Sequence, residues 1–126
     1  MVVNVNESDT GVIIQQLLEH TSAPTKDIPI YWDGAVVPAP PPDTFILIEP
    51  LFPTVWRNWG CVQATHTVQI RAVARSVGGA TSLRHDIYNL LPRDVFSSVT
   101  FGPRFKTDEH YDAIMTVQTI TAPEGA

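Results

Sequence analysis

Residues 61–75, CVQATHTVQIRAVAR, alternate over their whole length. Val62, Ala64, His66, Val68, Ile70, Ala72 and Ala74 form one set, mostly small and apolar. Cys61, Gln63, Thr65, Thr67, Gln69, Arg71, Val73 and Arg75 form the other, mostly polar. Successive side chains of a strand point to opposite faces, so a period of two predicts one strand with the first set on the core and the second outward. Typical strands run to ~5–6 residues. One this long commits the chain to a sheet, as a central or long member with Val62, Val68 and Ile70 buried.

The other elements are shorter and order themselves around it. Ile13, Ile14, Leu17 and Leu18 make a helical stripe within 8–21, with Ser8 as N-cap, Asp9 in the first turn and Pro24 beyond the end. Strands are expected at 28–32 and 44–50. Phe45, Ile46, Leu47 and Ile48 are apolar on both faces, which places that strand inside the sheet. Gly78-Gly79 is expected to break the chain after the long strand. A second helix over about 80–91 carries Leu83, Ile87, Leu90 and Leu91 as its stripe and stops at Pro92. Strands at 97–105 and 110–121 complete the chain, with Tyr111, Ala113, Met115 and Val117 sharing a face, and the tail TAPEGA is expected to be loose. The expected class is α+β, order α-β-β-β-α-β-β. A mostly antiparallel sheet then carries two helices on one face, because that buries both stripes.

The 126 residues suit one domain, 1–126. With 44% hydrophobic and 17% charged residues the chain reads as globular, not disordered. A net charge of −5 argues against a protein that coats nucleic acid. The single cysteine, Cys61, forbids an intrachain disulfide and nothing points to secretion. MVVNVNESD lacks the basic and apolar regions of a signal peptide, and no apolar run approaches the ~20 residues that cross a bilayer.

Chemistry-bearing motifs are missing. There is no P-loop, dinucleotide fingerprint, G-x-S-x-G, H-E-x-x-H or paired-cysteine pattern. His20, His66, His85 and His110 are scattered. His66 reads as a core histidine and His85-Asp86 as part of a solvated helix face. Asp108, Glu109 and Asp112 read as a charged turn, since no glycine-punctuated oxygen-ligand loop surrounds them. Cys61 reads as an inert thiol. The expectation is no catalytic residue, no metal, no cofactor and no enzyme.

Two segments remain. Residues 28–50, IPIYWDGAVVPAPPPDTFILIEP, set Pro38, Pro40, Pro41 and Pro42 between two strands. Proline has no N–H and a fixed φ, so the segment reads as a stiff polyproline arm at about 36–43. Leu51–Gly60, LFPTVWRNWG, reads as a loop by its proline and glycine, yet carries Phe52, Trp56, Arg57 and Trp59. Tryptophan and arginine are enriched at interface hot spots, and aromatics also cap small cores. One tryptophan on the core and one at a subunit contact is the expected division. The arm and this loop are the candidate subunit or partner interface.

Over nearly its whole length the chain resembles the tail terminator and tail completion proteins of long-tailed bacteriophages. The likeness lies in the element order, in IPIYWDGAVVPAPPPDTFILIEP as strand, Trp-bearing turn, proline-containing extended segment and hydrophobic strand, and in the long strand, Gly-Gly pair and helix that follow. The two-tryptophan loop departs from the pattern. The resemblance implies a virion protein, assembled in the host cytoplasm. It would form a ring, typically a hexamer, that caps the tail tube, ends its polymerisation and joins it to the head-tail connector or stopper. DNA would pass through the lumen without specific binding, which an acidic chain suits, and ring closure would need a contact between unlike faces. The alternatives are an adaptor or stopper elsewhere in the neck, or a small ligand-binding or enzymatic α+β domain.

Overall fold

The computed structural model describes residues 7–32, 37–51, 54–58, 61–92, 96, 98–107 and 109–121. Within these, 7–10, 54–58, 61–64, 103–105, 107 and 120–121 are described by backbone alone. The elements are α1 (Glu7–Glu19), β1 (Ile30–Trp32), β2 (Phe45–Pro50), β3 (Thr54–Asn58), β4 (Cys61–Ala74), α2 (Val77–Leu90), β5 (Ser98–Thr107) and β6 (His110–Thr121). Every expected element appears in the expected order, and β3 is added. The fold is α+β, a six-stranded, mostly antiparallel sheet with both helices on one face.

β4 is the hub. The sheet order is β1-β2-β4-β6-β5, with β3 also paired to β4. β2 and β3 follow one another along one side of β4. Pro50 stands opposite Val68 and Thr54 opposite Thr65. Leu51 keeps the pairing going by donating its N–H to the Thr67 carbonyl at 2.9 Å. On the other side β6 pairs antiparallel from Ala64↔Thr121 to Ala74↔Tyr111. Only β1 and β2 run parallel, Ile30↔Ile46 to Trp32↔Ile48.

Three local expectations are corrected. The stretch expected as a loop, 51–60, contains β3: Pro53 and Gly60 flank the strand without interrupting it, and Thr54, Val55 and Trp56 are strand formers. Gly78-Gly79 does not break the chain but lies in the first turn of α2. Ser76 is the N-cap, its Oγ accepting from the Gly79 N–H at 3.0 Å, so a satisfied terminus outweighs the poor helix propensity of two glycines. Ser8, expected as the N-cap of α1, lies inside that helix.

The core lies between the helices and the sheet. Ile14 and Leu18 of α1, Leu83 and Ile87 of α2, and Ile46, Ile48, Val68, Ile70, Ala72, Met115 and Val117 form one buried cluster. Each large aliphatic there contributes about 1.5–3 kcal/mol. The inward face of β4 follows the alternation at His66, Val68, Ile70, Ala72 and Ala74, whereas the side chains of Val62 and Ala64 lie outside the described residues. After α1 the chain is held by Thr25, whose buried hydroxyl donates to the Leu18 carbonyl at 2.8 Å. Trp32 then packs back on α1, its Nε1–H donating to Gln15 Oε1 at 2.8 Å.

Candidate functional site

The proline segment is the crossover of the parallel β1–β2 pair. Two neighbouring parallel strands oblige the chain to return from the end of one to the start of the next. The described part of the return, 37–44, contains no helix and lies on the face of the sheet opposite α1 and α2. Its last residues are fastened there. His110 Nε2 lies 3.0 Å from the Pro42 carbonyl, and the His110 ring meets the Phe45 ring edge-on at 5.8 Å. Asp43 Oδ1 accepts from Arg75 Nε at 2.6 Å, and Arg75 also reaches Glu109 at 3.3 Å. Pro41 and Pro42 are half-buried, while Pro38, Ala39 and Pro40 are exposed, with the Ala39–Pro40 peptide cis.

This strap changes the helix-free face. Val73, expected to point outward to solvent, is only 2% exposed. Val37, Pro41, Phe45, Leu47, Val73 and His110 line a groove of about 650 Å³, with Glu109 and Asp112 at its rim. Beside it Arg71 spans three strands, donating to Glu49 at 2.7 Å and reaching Asp112 at 3.4 Å. Farther along the same face Thr65, Thr67, Gln69, Thr116, Gln118, Ser98 and Thr100 stand in neighbouring rows, with Glu49 opposite Gln69.

The titratable groups here are tied to structure. Glu109 and Asp112, expected as a charged turn, lie on different arginines, Arg75 and Arg71. Asp108 lies outside the described residues. His66 is buried on the inward face. His85 is exposed and its ring stacks on Tyr88 at 6.4 Å. Among the described residues, no three His, Cys, Asp or Glu side chains gather closely enough to hold a metal ion.

The second expected surface is the β3–β4 hairpin. Trp56 pairs with Gln63, Arg57 with Val62 and Asn58 with Cys61. Because β6 reaches only Ala64, Cys61–Gln63 have β3 as their partner among the described residues, and the hairpin extends past the β6 end of the sheet. Phe52 and Trp59 lie outside the described residues, as do the side chains of Trp56, Arg57 and Cys61. The arm and the hairpin are not brought together: the strap's fastened end lies by Val73, the hairpin at the opposite end of β4.

Sequence reasoning missed the groups that fasten the strap, His110 and Arg75. The one signal was Val73, an apolar residue in the polar set of β4. It also missed Phe101, exposed on β5 with the Arg84 guanidinium 4.6 Å above its ring and Tyr88 edge-on at 5.4 Å.

No family model matches the chain, and no curated protein matches it in sequence. A solved structure matches in fold: a chain of the virion of a native gene transfer agent particle, with a TM-score of 0.65 and 11% identity, covering 87% of this chain and 92% of that one. At that identity the likeness is one of fold.

Proposed function

We propose that this protein is a structural component of a phage-like virion, and within it a tail terminator: a ring, hexameric in the simplest form, that caps the tail tube and joins it to the head connector or stopper. The observation that carries the reading is the fold likeness to a chain of a gene transfer agent virion, which spans nearly the whole of both chains. The sequence pattern supports the same reading independently. No catalytic role is assigned: the acids and the one histidine lining the groove hold the strap and the strands together. A net charge of −5 suits a wall that DNA slides past without binding.

In this reading the exposed Pro38–Pro40 stretch and the β3–β4 hairpin, with Phe52, Trp56, Arg57 and Trp59, meet the neighbouring proteins of the tube and connector. A stiff proline segment loses little entropy on docking. The test is removal of the gene followed by electron microscopy of the particles. A terminator leaves tubes of uncontrolled length and unjoined heads. Tubes of normal length beside unjoined heads point to the neck adaptor instead. Fully joined particles of normal length overturn the proposal.

A further inference from the structure

The two edges of the sheet differ in charge. α1 packs on β2 and β4 and holds Trp32 of β1, so α1 and β1 form one edge of the molecule. Residues 7–32 carry Glu7, Asp9, Glu19 and Asp27 against Lys26, a net of −3. α2 packs on β4 and β6 and holds β5 through Arg84, which donates to the Gly102 and Ile114 carbonyls at 3.0 and 3.1 Å. α2 and β5 carry Arg84, Arg104 and Lys106 against Asp86, a net of +2, although the chain as a whole is at −5. Each edge also exposes an apolar side chain, Val12 at 43% on α1 and Phe101 at 48% on β5. Among the described residues, neither β1 nor β5 has a strand on its outer side.

We infer that the α2–β5 edge of one copy docks on the α1–β1 edge of the next. The occupant is a second copy of this chain, because the charge on each edge complements the charge on the other and like edges repel. Contacts between unlike faces run head to tail and close into a ring when the rotation permits. The inference rests on the ring reading above and deepens it: the edges close the ring, and the strap and hairpin are left for other proteins.

The experiment uses the full chain and two pairs of substitutions at exposed positions. Phe101→Glu with Lys106→Glu reverses the basic edge; Glu19→Lys with Asp27→Lys reverses the acidic one. Lys106→Glu and Glu19→Lys alone serve if a pair fails to fold by circular dichroism. Light scattering then gives the mass. The wild type is expected as a ring that weakens with added salt, and each variant as a folded 13.9 kDa monomer. Each variant keeps one native edge, and the two reversed edges are again opposite in charge, so an equimolar mixture is expected to recover association into mixed rings. Variants that still form rings at wild-type concentration overturn the edge contact and leave the ring reading standing, as does a mixture in which both variants stay monomeric. A wild type that stays monomeric, or stops at a dimer, overturns both.

Discussion

Trp32 lies so close to Gly11 that a Cβ added there would stand 2.5 Å from Cζ3 and Cη2 of the indole. This contact locks β1, a strand of three residues, onto the first helix. Gly11→Ala should raise intrinsic helix propensity by about 1 kcal/mol yet destabilise the protein, because overpacking of this kind costs about 1–3 kcal/mol. Urea unfolding followed by circular dichroism checks the sign. A stabilised Gly11→Ala protein would mean the indole moves aside freely.

Val68→Asp should abolish folding. Val68 is fully buried in the middle of β4, and a carboxylate there has no cation to meet within the apolar cluster. An unpaired buried charge costs several kcal/mol, comparable with a whole domain's stability. Soluble expression with a normal melting curve would contradict this placement.

Arg71→Met should cost about 1–3 kcal/mol, since it leaves the nearly buried Asp112 carboxylate without its cation. Adding Asp112→Asn should recover part of that loss, because the two sites share one interaction. A double-mutant cycle on unfolding free energies measures the coupling; strict additivity would show the pair contributes nothing.

Deleting Pro40–Pro42 should destabilise the monomer as well as alter its contacts. These residues cover Phe45 and Val73, and the Pro42 carbonyl faces His110. His110→Ala should have a milder effect of about 1 kcal/mol, typical of one hydrogen bond, and should make the strap more open to proteolysis. Limited digestion with mass spectrometry locates the cut. Cleavage within 37–43 that is no faster than in wild type would show that His110 does not fasten the strap.

The sheet and its core were legible because periodicity carries them. The alternation in 61–75 found β4 and most of its inward face, and the helical stripes found Ile14, Leu18, Leu83 and Ile87. The strand 54–58 was hidden by Pro53 and Gly60, which mark ends as readily as loops. The fastening of the strap was hidden for a different reason. His110 and Pro42 are 68 positions apart and meet only once β6 and β2 flank β4. The proline run marked a segment outside any helix or central strand, but the chain bends at 39–40 and does not run as one extended arm; only the parallel pairing of β1 with β2 explains where the segment has to go. The charge difference between the edges was present in the composition, but it acquires direction only when α1 and α2 are seated toward opposite edges of one face of the sheet.

The central position of β4 also dictates an order of events during synthesis. Among the described residues, the first 60 positions hold one helix and three short strands, of which β1 and β2 pair with each other across three residues. So small a parallel pair cannot hold together in water by itself. As β4 emerges it meets both of its partners on that side, β3 nearest along the chain and β2 farther back. β6 comes last and pairs with β4 along eleven residues, so a ribosome that stalls before residue 110 releases a chain with one side of its main strand unpaired. A nascent chain truncated there is the form most exposed to aggregation, and β6 is the strand that covers the open side of β4.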